Sequence, residues 1–125
     1  MKTILAIDDD EAIRDLLGHA LRLQGYTIEA AASVQAAEEA RQRLGDANIG
    51  LVICDIHLTA NPQGNEGYAL YQRWTASAPD LPFLLMSGNV QAQNLPAIRA
   101  GAVRFLPKPF RINDLFAAVQ ALFRP

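Results

Sequence analysis

Short apolar runs alternate along the chain with longer segments of helical period, and this alternation restricts the possible folds more than any other feature. Such a pattern is typical of βα units, which place parallel strands in one sheet and helices on its faces. The predicted strands are Thr3 to Ile7, Thr27 to Ala31, Leu51 to Cys54, Pro82 to Met86 and Arg104 to Leu106. Three of these runs are almost purely apolar, as expected for strands that are covered on both faces.

The intervening segments carry helix signals. Ser33 is a favourable N-cap for the second helix, which is expected to run to Gly45, and Gly25 is placed to end the first. The fourth helix is expected to begin near Leu95 and to end before Gly101, because Pro96 fits only a first helical turn. The predicted buried faces are Ile13, Leu16, Leu17, Ala20 and Leu21 in the first helix, and Leu115, Val119 and Leu122 in the last.

Composition limits the class of protein. The chain has 125 residues, of which 50% are hydrophobic and 19% charged, so we expect residues 1–125 to form a single domain with its own core. The net charge is −2 and the basic residues are scattered, which argues against direct nucleic-acid binding. No apolar stretch is long enough to span a bilayer, so we expect a cytoplasmic protein without membrane contact. Cys54 is the only cysteine, which excludes an intramolecular disulfide.

Polar residues follow four of the predicted strands. Since ligands bind beyond the carboxyl ends of parallel strands, these residues are expected to meet at one edge of the sheet. They are Asp8-Asp9-Asp10-Glu11 after the first strand, Asp55 after the third, Ser87-Gly88 after the fourth and Lys108-Pro109 after the fifth. Asp10 and Glu11 are explained by their favourable position at a helix N-terminus. The other residues form a candidate site.

Carboxylates crowded at this edge would repel one another unless a cation lies between them. Mg²⁺ prefers oxygen ligands and takes only one or two protein carboxylates. Asp9 and Asp55 can supply these, with the backbone carbonyl of His57 as a third oxygen and Asp8 acting through water. The Ser87 hydroxyl and the Lys108 ammonium group suit the charge of a phosphoryl group, and Asp55 can be the oxygen nucleophile that accepts it as an acyl phosphate.

The chain resembles the receiver domains of bacterial two-component response regulators along nearly its whole length. The resemblance lies in four segments, Ile4 to Glu11, Val52 to Asp55, Leu85 to Gly88, and Gly101-Ala102 followed by Phe105 to Phe110. It implies a flavodoxin-like (CheY-like), doubly wound (βα)5 α/β fold, with a five-stranded parallel sheet of order 2-1-3-4-5.

The resemblance also implies a function. A sensor histidine kinase or a histidine phosphotransfer protein would donate a phosphoryl group to Asp55 in a Mg²⁺-dependent reaction. The chain would then act as a phosphorylation-activated switch on an effector domain or a downstream protein. It would not be an enzyme beyond its own phosphorylation and dephosphorylation.

Several residues match family positions with particular roles. Ser87 and Phe105 match the hydroxyl and aromatic positions that rearrange on phosphorylation, although simple core packing remains an equal explanation for Phe105. The peptide bond of the pair Lys108-Pro109 is expected to be cis. His57 and Asn89 lie two places after Asp55 and Ser87, where family members tune the lifetime of the phosphorylated state.

The chain departs from the family pattern after Asp55. Twelve positions separate Asp55 from Gly67, four more than is usual, so Glu66-Gly67 as the equivalent of the family's Asp-Gly pair implies a four-residue insertion. Leu58 and Thr59 stand where receivers carry methionine and proline.

Three other functions compete with the switch. The main alternative is a pseudo-receiver that keeps the fold as a docking module and is not phosphorylated. A flavin-binding protein of the same fold would need small polar residues after the first strand, where this chain has four acidic ones. A phosphohydrolase would need a second acid where His57 stands.

Overall fold

The computed structural model describes residues 2–58 and 64–125. Five parallel strands form one sheet of order β2-β1-β3-β4-β5, which confirms the predicted fold class. The strands are β1 (Thr3–Ile7), β2 (Thr27–Ala31), β3 (Ile49–Asp55), β4 (Phe83–Ser87) and β5 (Arg104–Pro107).

The helices are α1 (Glu11–Leu23), α2 (Val34–Leu44), α3 (Glu66–Ser77), α4 (Pro96–Arg99) and α5 (Ile112–Leu122), with 3-10 helices at Asp46–Asn48 and Val90–Asn94. The helix signals in the sequence are confirmed. Ser33 Oγ accepts a hydrogen bond from the Ala36 amide, and Asp10 Oδ1 accepts one from the Ala12 amide, so both residues are N-caps. Gly25 and Gly45 follow α1 and α2 with φ of 91° and 81°, the region that favours glycine.

Two apolar clusters lie on opposite faces of the sheet because successive strand residues point to opposite sides. In β1, Ile4 and Ala6 pack with residues of α1 and α5, whereas Leu5 and Ile7 pack with residues of α2, α3 and α4. Trp74 of α3 is 1% exposed and belongs to the second cluster, so it is a packing residue. The two clusters hold the central strands from both sides and fix where their carboxyl ends lie.

Three strands differ from the predictions in their bounds, and β3 ends at Asp55 rather than Cys54. β3 begins at Ile49 rather than Leu51, because Gly50 continues the strand where the end of α5 packs closely. A Cβ atom at Gly50 would lie 2.4 Å from the Phe123 ring, so the glycine makes room for that ring instead of ending the strand. β4 lies one residue later than predicted and β5 extends to Pro107.

The predicted buried face of α1 was wrong at Leu16, whose side chain is 43% exposed. Leu17, Ala20 and Leu21 are buried and define the centre of the apolar stripe. Leu16 is adjacent to Leu17 in sequence and therefore lies about 100° around the helix, outside that stripe.

The fourth helix agrees with its predicted range but is shorter. α4 has four residues, with Pro96 at its start. Within the described part of the chain, no helix is both long enough and apolar enough to cross a membrane.

Candidate functional site

The carboxyl ends of β1 and β3 bring three acidic side chains together. Asp8 and Asp9 follow β1, Asp55 ends β3, and one carboxylate oxygen from each lies within 4.8 Å of the others. Asp8 is fully buried and Asp55 is 7% exposed, whereas Asp9 is exposed. The predicted acidic cluster therefore forms, with one carboxylate open to solvent.

Lys108 lies between the two buried carboxylates. Its Nζ atom donates to Asp8 Oδ2 at 2.7 Å and to Asp55 Oδ2 at 3.1 Å. The Lys108 amide donates to the Ser87 carbonyl at 2.9 Å, which ties the residue after β5 to the end of β4. The Lys108-Pro109 peptide bond is cis, as the resemblance implies.

The electrostatics of the cluster follow from burial and from these contacts. Burial raises the pKa of Asp55, and the charge of Asp8 raises it further, while Lys108 and the His57 amide oppose the rise. Burial by itself would lower the pKa of Lys108, but the hydrogen bond to Asp8 and the attraction of Asp55 outweigh it and raise that pKa. Lys108 is therefore stabilised as a cation, and ionisation of Asp55 costs more free energy than it would in water.

The donor set fits a divalent cation. When all the groups are ionised, three carboxylates and one ammonium group leave two negative charges uncompensated. All three acidic ligands offer oxygen atoms, which Mg²⁺ prefers. The His57 amide donates to Asp55 Oδ1 at 3.1 Å, so the residue whose carbonyl is predicted to supply a further oxygen has its backbone beside the cluster.

Ser87 ends β4 and is 1% exposed. Its Oγ atom accepts a hydrogen bond from the Asn89 amide at 2.9 Å, and Asn89 Oδ1 in turn caps the Gln91 amide at 2.9 Å. Since the amide uses only an acceptor position of the hydroxyl, the hydroxyl hydrogen remains able to donate. Ser87 and Asn89 are thus linked in one local network at the edge of the sheet.

The remaining predicted residues lie as follows. Phe105 of β5 is half-buried and packs against the cluster on the α2–α4 side of the sheet, which agrees with the packing interpretation, and its switching role stays a prediction. Cys54 is fully buried beside Asp55, and burial raises the pKa of its thiol, as expected for a structural cysteine. Thr59 lies outside the described residues.

Gly67 lies against the backbone at the end of β3. Its amide donates to the Ile56 carbonyl at 2.9 Å, and a Cβ atom there would lie 1.8 Å from the Asp55 carbonyl oxygen. This close approach requires a glycine at position 67, and the equivalence of Glu66-Gly67 with the family's pair stays a prediction. The Leu58 amide also donates to Glu66 Oε1 at 3.3 Å.

Two contacts at the site were not predicted. Arg14 Nη1 donates to the Asp8 carbonyl at 2.9 Å, and the signal for it is an arginine on the first turns of the helix that follows the acidic segment. In the His57 ring, Nδ1 is hydrogen-bonded to the Gly64 carbonyl, while Nε2 is buried and has no partner among the described residues.

A doubly wound (βα)5 sheet with clustered acidic residues and a lysine at the carboxyl edge defines a receiver-type α/β protein. Comparison with known proteins gives the family. The family model described as the response regulator receiver domain matches residues 4–120. The chain therefore belongs to the receiver domains of two-component response regulators, which are signalling domains rather than conventional enzymes.

Curated relatives are regulators longer than this chain. Response regulator MprA of Mycobacterium leprae is 31% identical over 123 residues, which cover 97% of this chain and 50% of that protein. The C4-dicarboxylate transport transcriptional regulatory protein DctD of Rhizobium meliloti is 35% identical over 114 residues, which cover 90% of this chain and 23% of that protein. The chain thus spans half or less of the length of these relatives.

Solved receiver structures share the fold. The receiver domain of NtrX from Brucella abortus superposes with a TM-score of 0.80 at 31% identity, covering 95% of this chain and 96% of that one. The response regulator protein TrrA from Thermotoga maritima, solved in complex with Mg²⁺-BeF, gives a TM-score of 0.82 at 26% identity, covering 98% and 100%.

Proposed function

We propose that residues 1–125 form a single receiver domain that acts as a phosphorylation-activated switch in a two-component phosphorelay. Asp55 accepts the phosphoryl group. The observation that carries this proposal is the position of Lys108 Nζ, which bridges Asp8 and Asp55 inside a cluster that also contains Asp9. A nucleophile, a fixed cation and a set of oxygen ligands are the parts that phosphoryl transfer requires.

In the transfer, an Asp55 carboxylate oxygen attacks the phosphorus of a phosphohistidine. The new O–P bond forms as the P–N bond breaks, and the imidazole of the donor leaves with the electron pair. The product is an acyl phosphate. Lys108 is already hydrogen-bonded to the attacking carboxylate and offers its charge to the phosphoryl oxygens, and the Ser87 hydroxyl donates to one of them. Attack of water on the same phosphorus later restores Asp55 and releases phosphate.

Mg²⁺ is the cofactor that this site suits. Asp9, Asp55 and the His57 backbone carbonyl would hold it, with Asp8 acting through water. When bound, it supplies positive charge to the phosphoryl oxygens. The description of the related TrrA structure as a complex with Mg²⁺-BeF supports this assignment by analogy.

The partners follow from the same chemistry. A sensor histidine kinase or a histidine phosphotransfer protein is the donor, and an effector domain or a downstream protein reads the phosphorylated state in the cytoplasm. Ser87 and Phe105 carry the rearrangement on phosphorylation, and His57 and Asn89 tune the lifetime of the acyl phosphate. The hydrogen bond from the Asn89 amide to Ser87 Oγ supports a coupling between the residue that rearranges and the residue that tunes the lifetime.

The direct test is incubation with acetyl phosphate and Mg²⁺, followed by intact-protein mass spectrometry. Wild type should gain the mass of one phosphoryl group, and Asp55→Asn should not. Asp80→Asn is a suitable control, because Asp80 is an exposed acid before β4, at the opposite edge of the sheet. Equal labelling of Asp55→Asn and wild type would contradict the proposal, and absence of labelling in wild type would indicate the pseudo-receiver.

A further inference from the structure

Arg14 connects α1 to the acidic segment through the backbone. It is half-buried on the first turns of α1, and its Nη1 atom donates to the Asp8 carbonyl oxygen at 2.9 Å. That oxygen belongs to the peptide that joins Asp8 to Asp9. Because a peptide unit is planar, a hydrogen bond to its oxygen restricts the orientation of the whole unit, and with it the direction in which the chain enters Asp9.

Two further hydrogen bonds hold the same turn. Asp8 Oδ1 accepts from the Asp10 amide at 2.9 Å, and Asp10 Oδ1 accepts from the Ala12 amide at 2.9 Å. These bonds fix the residues on either side of Asp9, but neither acts on the Asp8–Asp9 peptide oxygen. Arg14 supplies a donor at that point.

We propose that Arg14 is a positioning residue for the metal ligands, which orients the Asp8–Asp9 peptide so that the exposed Asp9 carboxylate stays within reach of Asp55. The inference rests on the proposed function, since it assumes that Asp9 and Asp55 bind Mg²⁺. It assigns Arg14 no contact with the metal or with the phosphoryl group.

Whether removal of Arg14 weakens or tightens Mg²⁺ binding distinguishes a positioning role from a purely electrostatic one. The guanidinium group is always charged, and a positive charge on the acidic segment itself opposes the binding of a cation there. If charge were its only effect, removal of Arg14 would tighten Mg²⁺ binding. If Arg14 positions the ligands, its removal weakens binding despite the lost repulsion.

Arg14→Met keeps most of the aliphatic stem and removes the donor, and Arg14→Lys keeps a charged donor. Mg²⁺ affinity of the unphosphorylated protein is measured by isothermal titration calorimetry. We expect Arg14→Met to bind Mg²⁺ on the order of tenfold more weakly than wild type, as for other residues that orient metal ligands. Arg14→Lys should recover much of that loss.

Arg22→Met is the matched control. Arg22 is on the same helix, and its Nη2 atom also reaches a backbone carbonyl, that of Ile28 at 3.4 Å, but in β2 and away from the acidic cluster. The Mg²⁺ affinity of Arg22→Met should remain near that of wild type. Thermal midpoints in the presence of a chelator, compared between Arg14→Met and Arg22→Met, separate loss of fold from loss of positioning.

Each outcome decides the inference. Wild-type or tighter Mg²⁺ binding by Arg14→Met overturns it, as does equal weakening in Arg14→Met and Arg14→Lys. If wild type itself bound no Mg²⁺, the proposed metal site would fail and the inference with it. Failure of the Arg14 variants alone leaves the proposed function intact.

Discussion

At the scale of single residues, Asp55 combines reactivity with a cost to the fold. Burial and the neighbouring charge of Asp8 raise its pKa, and Lys108 compensates only in part. A buried carboxylate that resists ionisation destabilises the folded state once it is ionised. The burial of Asp55 beside Asp8 therefore makes the unphosphorylated protein less stable than it would be without this charge.

Asp55→Asn is accordingly expected to raise the thermal midpoint at neutral pH by a few degrees. The folded-state pKa of Asp55 lies above its unfolded value, so folding binds a proton more tightly at this site. The stabilisation that protonated Asp55 gives the folded state is therefore largest below the pKa of Asp55 in the unfolded chain. It is lost as pH rises through the pKa of Asp55 in the folded protein. The difference between Asp55→Asn and wild type should be small in acid and should grow as Asp55 ionises. Differential scanning calorimetry across this pH range is the measurement, and a difference that does not change with pH would contradict the account.

Gly67 shows a purely steric requirement beside the same residue. A Cβ atom there would lie 1.8 Å from the Asp55 carbonyl oxygen, and backbone atoms cannot yield as a flexible side chain can. Gly67→Ala should therefore force α3 away from the end of β3 and destabilise the protein by about 2–3 kcal/mol in urea denaturation. Gly88→Ala is the control, because its Cβ atom would meet nothing closer than Lys108 Cβ at 3.9 Å. Similar losses in both variants would refute the steric explanation.

At the scale of elements, the sequence predicts the strand and helix bounds that depend on the local pattern of apolar and turn-forming residues. The bounds of β1 and β2 are correct. β1 is an apolar run between Lys2 and the acidic segment, and β2 lies between the turn at Gly25 and the N-cap Ser33. β3 is longer than predicted because it includes Gly50, which accommodates the ring of Phe123 at the end of α5. The 3-10 helix Val90–Asn94 was not predicted, since it depends on a single cap from Asn89 and has little apolar periodicity.

The same limit applies to the candidate site. The residues at the carboxyl edge are predictable because parallel strands bring their ends to one place. Which atoms then contact each other depends on side-chain torsions and loop paths. The sequence therefore does not predict the two hydrogen bonds of Lys108 or the contact of Arg14 with the Asp8 carbonyl.

The short helix α4 obtains its N-terminal cap from another element. Its N-cap residue Leu95 provides no side-chain acceptor, and the Tyr68 hydroxyl of α3 instead accepts from the Ala97 amide at 3.0 Å. Four residues are too few for a helix to be stable alone. This bond therefore contributes to the position of α4 after the segment that carries Ser87 and Asn89.

Tyr68→Phe removes only the hydroxyl and leaves the Ala97 amide without its acceptor. We expect a loss of about 1 kcal/mol in unfolding free energy and faster hydrogen exchange confined to the α4 amides. Tyr71→Phe is the matched control, since within residues 2–58 and 64–125 the Tyr71 hydroxyl makes no hydrogen bond while its ring packs on Phe83. Unchanged exchange at α4 in Tyr68→Phe would show that the cap does not hold the helix.

At the scale of the whole molecule, the site exists only when the sheet is complete. Asp8 and Asp9 follow β1, Asp55 ends β3 and Lys108 follows β5, so residues 100 positions apart in sequence are hydrogen-bonded. Since the strands are held in order by the apolar clusters on both faces, unfolding of the core separates the ligands. A ligand of this site therefore binds the folded chain and not the unfolded one, and its binding free energy adds to global stability.

Mg²⁺ should accordingly raise the thermal midpoint in a concentration-dependent manner. Above the dissociation constant, each tenfold increase in free Mg²⁺ adds about 1.4 kcal/mol to the unfolding free energy. Asp9→Asn keeps the shape of the side chain and removes one charged ligand, so Mg²⁺ should raise its unfolding free energy much less than that of wild type. In the presence of a chelator this variant should be more stable than wild type, because repulsion among the three carboxylates is reduced. Asp80→Asn, with its acid at the opposite edge of the sheet, should keep the full increment. If Mg²⁺ raised the unfolding free energy of Asp9→Asn and of wild type equally, it would have to bind elsewhere on the surface. Binding at the carboxyl edge of the sheet depends on the Asp9 carboxylate, which lies beside Asp55.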